Sequence, residues 1–325
     1  MNLPVEIDRA ILVAGPTASG KSALALALAE KLSGEIINAD SMQVYAPLRV
    51  LSARPSVADE ARVPHHLYGT HQADARCSAG RWAERAAQIA SEIAARGAVP
   101  IIVGGTGLYF KALSEGLSPI PAVPDDVRAA ARADVAAAGE GAHALLAALD
   151  PVLARTIRPS DPQRMARGIE VARATGKPLS YWQSLPPQPL IKGKIARIVL
   201  APPRDWLRAR CDARFDRMVA EGALAEAGLM ASLALDPALP AMKALGLRPL
   251  IAYLAGEMSL EMAVEAGKNE TRRYAKRQET WFRTQMIAWN VFFEQDSESQ
   301  KAKIFSFIDE FGLTRPGGAA SLRTL

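Results

Sequence analysis

Apolar residues in this chain follow two rhythms. Short, strand-like runs lie at Ile11–Ala14, Glu35–Ala39, Val99–Val103 and Ile195–Ala201, each the length of a buried strand. Between the first three lie helical stretches. One is Ser22–Leu32, expected to end at Gly34; another is Ser78–Arg96, which starts at a good N-cap and stops at Gly97. Strand alternating with helix predicts an α/β fold, a parallel sheet with helices on both faces. In such a fold the ligand crevice is built from the loops at the carboxyl ends of the strands.

The rhythm changes after Gly116. Pro119, Pro121 and Pro124 form a linker, and Asp125–Gln183 is alanine-rich and helical in period, with breaks at Asp150-Pro151 and at Pro159 to Pro162. We read this stretch as an all-helical insertion. Pro186, Pro187 and Pro189 lead back to the strand at Ile195. From there the chain reads as helical to its end, over Arg204–Met230, Ala241–Leu254 and Ser259–Trp289. The expected division is a first core part at 1–118, an insertion at 119–190, a second core part at 191–315 and a frayed tail at 316–325.

Composition narrows the class. The chain has 325 residues, 49% of them hydrophobic, enough to bury a full core. No apolar run approaches the ~18 residues of a membrane span, and Met1–Arg9 carries acidic residues rather than a signal core, so a soluble, cytoplasmic protein is expected. Cys77 and Cys211 stand far apart without metal-ligand spacing, which suggests neither a structural zinc site nor a disulfide framework. The net charge of +5 allows a polyanionic partner without requiring one. No feature demands a second chain, and a monomer is expected.

Three loops carry the chemistry. The first, after Ala14, reads Gly15, Pro16, Thr17, Ala18, Ser19, Gly20, Lys21, Ser22 and matches the phosphate-loop pattern. Its backbone N–H groups and the following helix N-terminus favour an anion; Lys21 adds a point charge and Ser22 a hydroxyl for a magnesium ion. The second loop places Asp40 at a strand end, as a general base or as a helix cap, followed by Ser41, Met42 and Gln43. The Gln43 amide suits an adenine edge. The third, Gly104-Gly105-Thr106-Gly107, lets the backbone approach a ligand and presents one hydroxyl. No acid ends the strand before it, which weakens a reading as an ATPase despite the ATP-binding look of the phosphate loop.

A basic stretch, Thr271–Arg283, interleaves Arg272, Arg273, Lys276, Arg277 and Arg283 with Tyr274, Trp281 and Phe282. On a helix, Arg272, Lys276 and Arg283 share one face and Arg273, Arg277 and Trp281 a neighbouring stripe. Such a surface suits phosphate-backbone contacts with stacking beside them; a solvated basic helix whose aromatics pack inward remains the alternative. His65-His66, adjacent in sequence, suit a structural or loop role better than a metal.

Taken together, GPTASGKS, ADSMQVY at 39–45, PHHL at 64–67, GGTGLY at 104–109, DPQRMARGIEV at 161–171 and KRQETWFR at 276–283 resemble the bacterial tRNA dimethylallyltransferases, the isopentenyl-tRNA transferase family. The resemblance covers nearly the whole chain and implies a P-loop NTPase-like fold. It implies magnesium-dependent transfer of a dimethylallyl group from dimethylallyl diphosphate to N6 of the adenosine 3′-adjacent to the anticodon. By resemblance, Asp40 accepts the N6 proton, Thr106 donates toward the leaving oxygen or fixes the donor, and Arg214 completes the diphosphate clamp. Contacts with the tRNA anticodon stem-loop map onto Asp40, Ser41, Met42, Gln43, Thr106 and Arg128. They also map onto Gln163, Arg164, Met165, Ala166 and Arg167, and onto Lys243, Ala244, Leu245, Gly246, Leu247 and Arg248. The last set is Lys276, Arg277, Gln278, Glu279, Thr280, Trp281, Phe282 and Arg283. Ala46-Pro47 and Leu247 depart from the family pattern. Three other readings stay open on the residues alone: a P-loop nucleotide kinase, a prenyltransferase for free adenine nucleotide, and a non-catalytic RNA-binding module.

Overall fold

The computed structural model describes residues 4–313. The tail expected from Pro316 lies outside the described residues. The chain divides into two compact units, one formed by residues up to Ser114 and from Leu190 onward, the other by Glu115–Pro189.

In the first unit, β1 (Val5–Ala14) leads into α1 (Lys21–Leu32), β2 (Gly34–Asn38), α2 (Val57–Arg62), β3 (His65–His66), α3 (Ala79–Ala95), β4 (Val99–Gly104) and α4 (Gly107–Ser114). The second unit holds α5 (Asp125–Ala138), α6 (Ala142–Leu149), α7 (Pro151–Ala154), α8 (Pro162–Thr175) and α9 (Leu179–Ser184). The chain then returns through β5 (Ile191–Leu200), α10 (Arg204–Met218), α11 (Leu224–Ser232), α12 (Leu247–Leu254), α13 (Leu260–Gln285), β6 (Asn290–Phe292) and α14 (Ser297–Glu310).

The six strands form one parallel sheet in the order β3-β2-β4-β1-β5-β6. Alternation along β1 shows why both faces need helices. Leu12 and Ala14 join a core with Trp82, Ile89 and Phe110, whereas Ile11 and Val13 join one with Leu24, Leu28 and Ile304. A strand buried on both sides reads as a continuous apolar run, which made Ile11–Ala14 legible.

Several expectations are corrected. β1 begins at Val5, earlier than the apolar run, because Glu6 and Asp8 stay exposed while Ile7 and Ala10 are buried, so its first half alternates. The chain is not helical to its end: β6 pairs with β5 through Ile198↔Asn290 to Leu200↔Phe292, an edge strand of three residues. Ser33, at φ 51°, rather than Gly34, ends α1. Gly34 instead opens β2, where a Cβ would sit 2.7 Å from the Val99 carbonyl. The expected helix Arg204–Met230 is broken at Val219–Ala223, where Gly222 takes φ 114°. In 241–254 only Leu247–Leu254 is α-helical, after a single tight turn at Ala241–Lys243.

His65 and His66 form the outer edge strand. Ile36↔His65 and Ile37↔His66 pair it to β2, and His66 Nε2 lies 2.6 Å from Glu35 Oε2. Glu35 also accepts two 2.6 Å hydrogen bonds from Arg96, which hold its carboxyl below the usual range against the opposing effect of burial. The adjacent histidines thus have a structural role.

In the second unit a core of Ala131, Leu146, Ile169 and neighbours fills the space between α5, α6 and α8. Fully buried Asp150 ties it together, accepting from the Leu153 and Ser180 amides and from Ser180 Oγ.

A folded-state carboxyl held low contributes stability that is present above the ordinary carboxylate pKa and lost as pH falls through its own. Glu35→Gln is therefore expected to lower unfolding stability by about 1–2 kcal/mol near pH 7, with the difference from wild type closing in acid. Denaturant titration at several pH values measures it.

Candidate active site

The loops that follow β1, β2 and β4 meet at the carboxyl edge of the sheet, and those after β1 and β2 open onto one cleft. It is lined by Thr17, Lys21, Ser22, Asp40, Met42, Gln43, Leu51, Ser52, Cys211, Arg214, Phe215, Met218, Ala244, Leu245, Thr271 and Tyr274. One part is polar and cationic; the rest is apolar.

The phosphate loop is wound by Ala18 at φ 64° and Gly20 at φ 93°, which turns the chain into α1. Its fold is held from outside, since Arg210 Nε donates to Ala18 O at 2.9 Å. Lys21 is 9% exposed and bonds to Pro16 O at 3.3 Å. Burial first, and then the neighbouring Arg214, lower its pKa to about 8; Asp40 opposes this. Burial also lowers Arg214, which carries its guanidinium to the same place from α10. Two desolvated cations with one facing carboxylate form a site short of negative charge.

Asp40 is held through its backbone. Asn38, fully buried at the end of β2, accepts from Asp40 N at 2.8 Å and donates to Asp40 O and to Leu67 O, both at 3.0 Å. Asp40 Oδ1 accepts from Met42 N, so the loop curls around the carboxylate. From the third loop, Thr106 Oγ1 accepts from Ser41 N at 2.9 Å and contacts Ser41 Oγ at 3.3 Å. Gly104 has no room for a side chain, because a Cβ there would lie 2.1 Å from the Ala39 carbonyl. Thr106 therefore fixes the Asp40 loop, from just behind the residues that line the cleft.

Gln43 needs correction as an adenine reader. Its Nε2 donates to Ser52 O and Ala53 O, so both donor hydrogens are committed and only its carbonyl oxygen is left for a base edge. The loop it braces is also held by Glu226, whose carboxylate accepts from the amides of Arg49, Val50 and Leu51.

The basic stretch lies within α13, and its faces differ. Arg273, Lys276, Arg277, Thr280 and Arg283 are exposed, while Thr271, Ala275, Gln278 and Phe282 are buried. Arg272 is corrected as an exposed phosphate contact: it is bound by Asp212 at 2.7 Å and by Glu265 at 2.6 Å. Phe282 packs in the core beside the sheet, with Trp281 against it, so neither stands free for stacking. Glu279 pairs with Arg204. Gln278 bridges Thr17 N and Gly105 O.

Close by, Lys243, Arg248, Arg273 and Arg277 rim a second hollow with Ala244, Leu245 and Glu270. Leu247, where the sequence departs from the family, is fully buried among α10–α13 and packs there rather than lining the cleft, whereas Ala244, nearly as buried, reaches the lining of both hollows. Gly246, at φ 77°, lies against the Phe215 ring and donates its N–H to Glu270. On the helical unit, Gln163 and Arg164 are exposed and Arg167 is half-buried against Glu170, but Met165 and Ala166 belong to that unit's core. Arg128 spends its guanidinium on Asp125 and Val123 O.

Sequence reasoning missed Asn38, Phe215, Met218, Leu51 and, as a cleft residue, Tyr274. Tyr274 had a signal, its place within the basic motif; burial chiefly, and the nearby Asp40, push its phenol well above its ordinary pKa. Leu51, Phe215 and Met218 line the cleft from segments whose proximity only folding creates, while Asn38 braces it from two residues before Asp40.

Among the described residues no group of three or more His, Cys, Asp or Glu side chains offers a protein-only metal site. Ser22, exposed at the start of α1, and Asp40 across the cleft are oxygen donors of the kind magnesium takes beside water and phosphate oxygens.

A family model described as IPP transferase matches residues 43–285, and one described as isopentenyl transferase matches 8–70. The chain is 69% identical to the tRNA dimethylallyltransferase of Parvibaculum lavamentivorans, over 95% of this chain and 98% of the relative. It is 53% identical to that of Rhodospirillum centenum, over 92% and 96%. Among solved structures it resembles the tRNA isopentenylpyrophosphate transferase of Bacillus halodurans, with TM-score 0.66 and 32% identity over 94% of this chain and 96% of that one. It also resembles a eukaryotic dimethylallyltransferase described as acting on tRNA, with TM-score 0.76 and 25% identity over 93% and 79%. With the phosphate loop, the Asp40 loop and the basic helix assembled in one unit, the chain belongs to the IPP transferase family of tRNA dimethylallyltransferases.

Proposed function

We propose that this protein transfers the dimethylallyl group of dimethylallyl diphosphate to N6 of the adenosine 3′-adjacent to the anticodon of tRNA. One observation carries the reading. The cleft sets buried Lys21 and half-buried Arg214 beside an apolar wall of Met42, Leu51, Phe215, Met218 and Leu245. An anion joined to a short hydrocarbon satisfies both parts; a nucleoside triphosphate would leave the apolar wall facing a polar ligand.

In the reaction the allylic C–O bond breaks, diphosphate leaves with the electron pair, and the N6–C bond forms. Lys21, Arg214 and the loop backbone bind the leaving group and offset its growing charge. Asp40, fixed through Asn38, Met42 and Thr106, takes the proton from N6 as the bond forms; an exocyclic amine conjugated with its ring needs such an acceptor. Magnesium, held by Ser22 with Asp40 through water, would add positive charge at the diphosphate when bound. The apolar wall keeps water from the allylic carbon. The target base leaves the anticodon stack to enter the cleft. Arg273, Lys276, Arg277 and Arg283 would grip the RNA backbone, and exposed Gln163 and Arg164 on the helical unit supply further contacts.

No helix among the described residues is long and apolar enough to cross a membrane. We place the protein in the cytoplasm, with its tRNA.

Labelled dimethylallyl diphosphate with magnesium should transfer label to an anticodon stem-loop and to neither AMP nor water. Label on AMP would replace the acceptor, and ATP-dependent phosphorylation would replace the reaction. Asp40→Asn should slow single-turnover transfer by about 10²–10⁴-fold with RNA affinity unchanged.

Because free Lys21 titrates near pH 8, bound diphosphate should raise its pKa and take up protons in the window above that. Calorimetry with inorganic diphosphate at pH 8.5, in buffers of different ionisation enthalpy, should show uptake in wild type beyond that in Lys21→Met. Equal uptake would remove Lys21 from the anion site.

Replacing Arg273, Lys276 and Arg277 with Gln should reduce the slope of log K against log salt for stem-loop binding by about 2. An unchanged slope would take this face out of the interface.

A further inference from the structure

Gln278 lies within a motif expected to touch RNA, yet its side chain is 5% exposed and turned away from the exposed cations of α13. Its amide is divided between two loops. Oε1 accepts from Thr17 N at 2.8 Å, in the phosphate loop, and Nε2 donates to Gly105 O at 2.8 Å, in the loop after β4. Thr17 N is thereby withdrawn from the donors available to phosphate, and the loop's shape at that point is set by a helix far along the chain.

The glycines of the third loop fit this arrangement. A Cβ on Gly105 would lie 2.2 Å from Gln278 Nε2 and 3.5 Å from Asp40 Oδ2, so the absent side chain is what admits the amide beside the acid. One turn along α13, Trp281 fills the matching gap at Gly107, where a Cβ would lie 1.9 Å from its Nε1. The helix is keyed into the loop at both glycines. β1 and β4 are adjacent and in register from Ile11↔Ile101 to Ala14↔Gly104, but nothing in the sheet ladder fixes the loops that leave them. Gln278 does.

We propose that Gln278 is a positioning residue rather than an RNA contact: it clamps the phosphate loop to the Gly105 turn and so holds the donor's diphosphate in register with Asp40 and Thr106. The inference rests on the proposed transfer reaction. Only a neutral amide serves both partners without rearrangement, since one atom must accept from an N–H while the other donates to a carbonyl. Leucine keeps the bulk and loses both bonds. Glutamate can accept from Thr17 N, but it donates to Gly105 O only when protonated; ionised, it sets a buried oxygen anion against a carbonyl.

For Gln278→Leu, the KM for dimethylallyl diphosphate should rise by about 10-fold or more, with the KM for the stem-loop within about 2-fold of wild type. Affinity for inorganic diphosphate, read by calorimetry without RNA, should fall in parallel. Gln278→Glu should recover donor KM as pH is lowered and lose it as pH rises, an acid-side recovery absent from wild type and from Gln278→Leu. If Gln278→Leu does not fold, the pH profile of Gln278→Glu decides alone. A raised stem-loop KM with unchanged donor KM would make Gln278 an RNA contact and overturn the inference, as would unchanged diphosphate affinity or a flat Gln278→Glu profile. Wild-type protein that binds diphosphate but transfers nothing to the stem-loop would instead overturn the transfer reading, leaving the diphosphate measurements to judge the clamp.

Discussion

Two positive groups line the cleft, Lys21 buried and Arg214 half-buried, and their shortage of negative charge is the constraint from which the site follows. Lys21 comes from the start of α1 and Arg214 from α10; burial works against the charge of both, and Asp40 is the facing acid. Holding like charges together in a half-dry place is costly unless an anion completes them. In the transfer proposed above a diphosphate does so, and it is most strongly held when its charge is greatest, as the carbon–oxygen bond gives way. The cost of assembling the cations thus becomes attraction for the leaving group.

Such a site works only if its parts do not drift. The parallel sheet fixes strand ends, but the loops beyond them have no ladder, and each is tied by a polar side chain bonded to backbone. Asn38 grips the two sides of Asp40, and Thr106 grips Ser41. Glu226 gathers three amides of the segment after Tyr45, and Gln278 spans two loops. Each such bond adds little net stability, because the groups would bond to water in the unfolded chain, but breaking one leaves a desolvated backbone group unpaired. That asymmetry gives these side chains control over geometry beyond their share of the folding energy.

The helix α13 shows how one element serves two ends. Its buried stripe of Thr271, Ala275, Gln278 and Phe282 reads onto the loops and core, while Arg273, Lys276, Arg277 and Arg283 face solvent on the other side. A surface suited to a polyanion and a clamp on the diphosphate loop are thus a few ångströms apart on a rigid rod. Arg272 lies between the stripes and is taken up by Asp212 and Glu265, a structural use of a charge that composition alone would assign to RNA.

The sequence by itself determined the strand–loop–helix of the phosphate site, the parallel α/β class, the helical insertion and the identity of the loops that converge. These features are local: a continuous apolar run, a glycine spacing and a cap each act within a dozen residues. Tertiary structure decided which charged and polar side chains of those motifs face a ligand and which face the protein. Arg272, Gln278 and Phe282 turn inward, and Glu226, Phe215 and Tyr274 become parts of the site, because partners from distant segments occupy the space beside them. β6 was invisible for the same reason, since a three-residue edge strand exists only through its neighbour β5. A motif fixes which chemical groups are present, and long-range packing fixes which of them are free to act.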